Sequence, residues 1–193
     1  MISLRSVMAV IFAAFILMPA YVAADEFTQA AKVFRDSPVV APYFTKSYGY
    51  AIFPTIGKGG IGIGGAHGSG RVYAGGKHTG NTSMTQVTIG WQLGGQAYSQ
   101  IIFFEDKRSY NEFTSGNFEF GAQASAVAIT AGAQAQTGTT GAGASASPGG
   151  SAGSQAKTTY HKGMAVFTRA KGGLMYEAAI GGQKFSFEPA GKK

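Results

Sequence analysis

The sequence predicts an α+β fold in which short N-terminal helices pack on a curved, barrel-like antiparallel β-sheet, and three observations lead there. The apolar period changes from 3.6 residues to 2 near Tyr48. Glycine fills 30 of 193 positions, about twice its average share, while aromatic residues stand at 12%. That mixture suits strands with close backbone approach and not a helical bundle. Charged residues are only 13% and cysteine is absent, so a disulfide scaffold and a thiolate metal site are both excluded. The length is that of one domain with a genuine core.

In chain order, the first segment reads as a signal peptide over residues 1–24. Arg5 supplies a positive start, residues 7–18 are apolar, Pro19 breaks the run, and Val22-Ala23-Ala24 places small residues for cleavage before Asp25. The apolar run falls short of the ~20 residues a spanning helix needs. The expectation is an exported protein, periplasmic or secreted, with residues 25–193 as a single domain.

Asp25 is placed to cap a helix in which Phe27, Ala30, Ala31 and Phe34 recur at i, i+3, i+4 and i+7, with Lys32 and Arg35 near its end. Its apolar face packs on the domain's own sheet or, in a second reading, Phe27 and Phe34 face a lipid interface. Ser37-Pro38 reads as the start of another short helix carrying Val39, Val40, Tyr43 and Phe44.

Strand signals follow. Tyr50-Ala51-Ile52-Phe53 is a short strand that Pro54 stops, Ile61 and Ile63 alternate with glycine, and Val87, Ile89, Trp91 and Leu93 alternate with smaller residues. Residues 98–104 form another strand, Asp106 caps a short helix bearing Tyr110 and Phe113, and residues 118–135 carry Ala122, Ala124, Ala126 and Ala128 on one face, as a tapered sheet requires. Residues 137–156 hold Gly, Ala, Ser or Thr at 18 of 20 positions. Such a segment buries too little to offset its ordering entropy and is expected to be a long mobile loop, or else a protruding hairpin.

An internal repeat stands out. Gly49-Tyr50-Ala51-Ile52-Phe53 with Lys58-Gly59-Gly60-Ile61 returns as Gly163-Met164-Ala165-Val166-Phe167 with Lys171-Gly172-Gly173-Leu174. Two related hairpins of one sheet are expected, with Lys58 and Lys171 in equivalent turns.

No enzyme motif survives inspection. Gly60 to Gly65 spells G-x-G-x-x-G, but neither a helix nor an acidic residue follows where a dinucleotide site needs them. Gly57-Lys58 and Gly76-Lys77 lack the hydroxyl residue of a P-loop, and Gly68-Ser69-Gly70 lacks the earlier glycine of a nucleophile elbow. His67, His78 and His161 are too scattered for a zinc triad, and Glu105-Asp106 point to opposite sides of the chain, so no catalytic residue, metal or cofactor is expected.

What remains is basic charge, 16 Lys and Arg against 9 Asp and Glu. Lys58, Arg71, Lys77, Lys107, Arg108, Lys162, Arg169 and Lys171 lie at or beside predicted turns, with Tyr73, Tyr110 and Tyr160 available at an interface. The plain alternative is a scattered solvated surface. Nucleic acid is not expected, since no recognition helix or aromatic RNA-reading signature is present. Anionic phospholipid headgroups at a membrane surface are the expected partner; protein partners are left open.

Taken in order, Tyr50-Ala51-Ile52-Phe53-Pro54, Lys58-Gly59-Gly60, Gly62-Ile63-Gly64-Gly65 before Gly68-Ser69-Gly70, the segment 96–104 with Glu105-Asp106, and Lys162-Gly163-Met164 with Lys171-Gly172-Gly173 resemble the SYLF domain family over about residues 34–188. The resemblance implies a lipid-binding domain, which bacteria carry in secreted or lipid-anchored proteins. The long Gly/Ala/Ser segment departs from the family pattern, and the actin-directed role of eukaryotic members is not carried over. The expectation is a non-enzymatic lipid-binding module of the cell envelope, the alternative being a structural or assembly protein there.

Overall fold

The computed structural model describes residues 25–90, 96–121, 124, 126–129, 135–137, 160–171 and 180–191. The expected signal peptide, Trp91 and Leu93, Ala122, the low-complexity segment from 138 onward, and Gly172-Gly173 lie outside the described residues. Three helices are described, α1 (Glu26–Arg35), α2 (Ala41–Lys46) and α3 (Lys107–Phe113), with strands β1 (Gly49–Ala74), β2 (Lys77–Gly90), β3 (Gln96–Phe104), β4 (Phe118–Glu119), β5 (Val127–Ile129), β6 (Ala135–Thr137), β7 (Met164–Lys171) and β8 (Lys184–Pro189). The strands form one sheet in the order β4-β8-β2-β1-β3-β7-β5-β6. Pairing is antiparallel except for the short parallel register of β5 on β7.

β1 differs most from expectation. Fully extended, its 26 residues would span roughly 85 Å. Instead the Gly75 N–H donates to the Tyr48 carbonyl at 3.5 Å, so the two ends meet. A Cβ on Gly70 would lie 2.6 Å from the Phe53 ring and one on Gly68 2.6 Å from Ile56, a partner series that runs antiparallel. β1 is therefore doubled back on itself near residues 59–62, its first half pairing with β3 and its second with β2. Only glycine lets the two halves approach so closely. Pro54 does not end the strand. It sits in the register shift between Phe53 and Ile56, where its missing N–H breaks no regular ladder bond, and its carbonyl accepts from Ser99 Oγ at 2.7 Å.

The sheet curls. Gln100 on β3 and Gln183, just before β8, hydrogen-bond at 2.9 Å, although at least three strand spacings, roughly 14 Å on a flat sheet, separate their strands. Inside this half-barrel Phe53, Ile102, Phe104, Val166 and Phe185 form the main core, closed by Phe113 of α3. Ile52, Ile101, Phe103 and Phe167 point to the outer face, where Ala30 and Phe34 of α1 and Val40 before α2 cover them. Where the helices do not reach, β1, β2 and β8 present a polar row, Ser83 and Ser186 hydrogen-bonding at 2.7 Å, which needs no cover.

α1 starts where its cap predicts. The Asp25 carboxylate accepts from the Thr28 N–H at 2.9 Å. α2 starts later than expected: residues 38–40 are turn, and Pro42, not Pro38, takes the early helical position that tolerates a missing N–H.

Both copies of the repeat lie in one sheet, flanking β3 in step, since Phe104 pairs with Gly49 on one side and Met164 on the other. That register shifts the copies by one residue. Because side chains alternate along a strand, Phe53 faces the interior while Phe167 faces the helices. The environments of the two copies are thus reversed and not equivalent.

Candidate functional site

At the end of the sheet where Gly49, Phe104 and Met164 stand level, three connections converge. The first is the β1–β2 turn, Gly75-Gly76, which places Lys77 opposite Ala74. The second leads from β3 into α3, where Asp106 accepts from the Ser109 N–H at 2.8 Å and its own N–H donates to Ser109 Oγ at 3.3 Å. This reciprocal cap sets Lys107 and Arg108 in the first turn, where the helix dipole does not favour cations. The third is the turn before β7, where Lys162 takes φ +52 and Gly163 φ +79.

Arg108 ties the second and third connections together. Its Nη2 donates to the Lys162 carbonyl at 3.5 Å, while Nη1 pairs with Glu112 at 3.2 Å and Nε lies 3.8 Å from Asp106. The Asp106 carboxyl is held below the usual carboxylate range, chiefly by the Ser109 amide. Tyr48, 40% exposed, stands between the first two connections with its ring 5.5 Å from that of Tyr110, which in turn meets Phe104 edge-on at 5.9 Å. Lys77, Lys107 and Lys162 are exposed and carry no ion pair among the described residues. The result is an end surface with three unpaired ammonium groups and a paired guanidinium around two tyrosines.

The residues expected to bind lipid are therefore not gathered into one surface. Lys77, Lys107 and Arg108 share this end. Lys58, Arg169 and Lys171 stand toward the other, opposite Gln96, Ser99 and Ala97, roughly 17 to 27 Å away along β3. There Lys171 Nζ donates to Thr55 Oγ1 at 2.6 Å. Arg71 lies between the ends and is occupied, pairing with Asp25 while its guanidinium covers the Phe27 ring at 4.0 Å from the centroid. Phe34, the second residue of the lipid-facing reading of α1, is fully buried against the sheet, and Phe27 is half-buried beneath Arg71. Tyr48 was missed by pattern reading because it falls at the change of period, outside any repeat. Among the described residues, no group of three His, Asp or Glu is arranged to hold a metal ion, and no helix is long and apolar enough to cross a membrane.

Comparison with known proteins adds two findings. The family model described as "Ysc84: Las17-binding protein actin regulator" matches residues 85–188. The chain is also 26% identical over 160 residues to "Beta cell expansion factor A" of Aeromonas veronii, across 82% of this chain and 52% of that protein. It thus spans about half the length of this relative.

Proposed function

This chain belongs to the Ysc84 family, the SYLF domain family, and from that membership we propose that it is a non-enzymatic lipid-binding module of the cell envelope, docking on anionic phospholipid headgroups. The observation that carries the reading is the grouping of Lys77, Lys107 and Lys162 around the Tyr48–Tyr110 pair. Near an anionic surface each such cation contributes about 1 kcal/mol, an attraction that fades within ~8 Å at physiological salt. Lys107, exposed in the first turn and without an ion pair among the described residues, is free to meet a phosphate at the surface. Tyrosines with an apolar ring and a polar tip suit the headgroup layer. In this reading the protein is exported and sits peripherally on the membrane, α1 staying on the sheet.

Sedimentation with phosphatidylglycerol-containing liposomes at two salt concentrations tests it. The parent is expected to bind strongly at low salt and weakly at high salt. Lys77→Glu with Lys107→Glu and Lys162→Glu should lower binding at least tenfold without moving the melting temperature, because exposed unpaired lysines contribute little to folding. The pair Lys58→Glu and Lys171→Glu at the opposite end should change it less. The reverse ranking would assign docking to the opposite end, and equal binding to neutral liposomes would defeat the electrostatic mechanism.

A further inference from the structure

We infer that the interior of the half-barrel holds a hydrogen-bonding site for the ester carbonyl of an acyl lipid, formed by the hydroxyls of Tyr98 and Thr168 beside the Gln100–Gln183 amide pair. The inference rests on the lipid-binding reading and specifies a second, internal mode for it. These four polar side chains are 6%, 1%, 0% and 0% exposed in the order named, and they lie among the apolar residues of the core. Gln100 and Gln183 exchange amide hydrogen bonds of 2.9 and 3.2 Å, and Gln183 Nε2 also donates to the Tyr98 hydroxyl at 3.2 Å. The phenol oxygen is thereby an acceptor, and the Tyr98 proton is not spent on any described acceptor. Thr168 Oγ1 is buried with no hydrogen-bond partner among the described residues.

Thr168 stands directly opposite Gln100, and Tyr98 precedes Gln100 by two residues on the same face of β3. Two unspent O–H donors therefore share one face of adjacent strands. Buried polar groups are nearly always paired, so an orphan hydroxyl on the strand beside a second unspent donor points to an acceptor that arrives with a ligand. Its chemistry is constrained. No charged side chain is buried among the described residues, which disfavours a carboxylate or phosphate and favours a neutral carbonyl. Burial raises the Tyr98 phenol far above its ordinary value, so it remains a donor. Phe53 and Ile102 on the same face make the surroundings of these donors apolar, which suits a neutral acceptor.

The test compares diacyl phosphatidylglycerol with its dialkyl ether analogue, which keeps headgroup and chains but lacks the carbonyls. Native mass spectrometry of the full protein mixed with each lipid should show a one-to-one complex at least tenfold more populated for the ester. Liposomes of the two lipids should sediment the protein equally, because headgroup docking ignores the linkage. Tyr98→Phe with Thr168→Val should abolish the one-to-one complex and leave sedimentation intact. Equal complexes with ester and ether, an undiminished complex in the double variant, or no complex in the parent would each overturn the internal site while leaving surface docking standing. Failure of the parent to sediment with either liposome overturns the docking proposal instead. Should the double variant misfold, the ester–ether comparison on the parent still decides.

Discussion

Gly163 shows how one backbone position holds the candidate site together. Its φ of +79 is costly for any side chain, and a Cβ there would lie 2.6 Å from Arg108 Nη2 and 3.0 Å from Ser109 Cβ. Gly163→Ala should destabilise the fold by about 2 kcal/mol or more, because left-handed backbone alone costs an L residue roughly 1–2 kcal/mol. Urea midpoints measure this, and a change under ~0.5 kcal/mol would show that the turn relaxes freely. Asp25 carries a pH dependence. Its carboxyl is held below the ordinary value, first by the Thr28 amide and then by Arg71. A depressed folded-state value means that the contribution is complete above the ordinary carboxylate range and is lost as pH falls through the folded value. The melting temperature should therefore drop on acidification below about pH 4, and Asp25→Asn should flatten part of that drop. An unchanged profile in the variant would remove Asp25 from the acid response.

At the scale of elements, α1 is held at both ends. Asp25 and Phe27 engage Arg71 near its start, and Arg35 lies 4.6 Å over the Phe44 ring near its end. Between them Phe34 is wholly buried, while Phe27 is only partly covered. Phe34→Ala should cost about 3–5 kcal/mol, the range for deleting a buried aromatic side chain, and Phe27→Ala roughly half that or less. Denaturation of the two variants reads the difference. Were α1 to leave the sheet for a membrane, Phe34→Ala would instead weaken liposome binding while leaving stability nearly unchanged. The amphipathic spacing that predicts α1 also names which residues it buries, so this element is legible in the sequence. Its partner surface is not, because Ile52, Phe103 and Phe167 come from three strands far apart in the chain.

For the whole molecule, the Gln100–Gln183 pair ties β3 to the segment before β8 across the mouth of the curled sheet. Removing Gln100 leaves the Gln183 carbonyl oxygen unpaired in the core, at a cost of about 1–3 kcal/mol, whereas replacing both amides with apolar residues of similar shape leaves only the Tyr98 hydroxyl without its partner. Gln100→Leu alone should therefore destabilise more than Gln100→Leu with Gln183→Leu. A double-mutant cycle measured by denaturation tests this, and strict additivity would mean that the two amides are energetically independent.

What the sequence alone determines here is local. The change of period at Tyr48, the caps at Asp25 and Asp106, the buried positions of α1 and the two copies of one strand pattern all follow from neighbours within a few residues, and the structure contains each of them. The family resemblance is local too, since it rests on short motifs in order. Tertiary structure decided what depends on register: that β1 doubles back through Pro54, that the repeat copies turn opposite faces to the core, and that the basic residues divide between two ends with Arg71 already occupied. Register is set by which strands pair, and a shift of one residue reverses every side chain on a strand. No window of sequence short enough to show a period contains both pairing partners, so the site lay beyond pattern reading even where its residues did not.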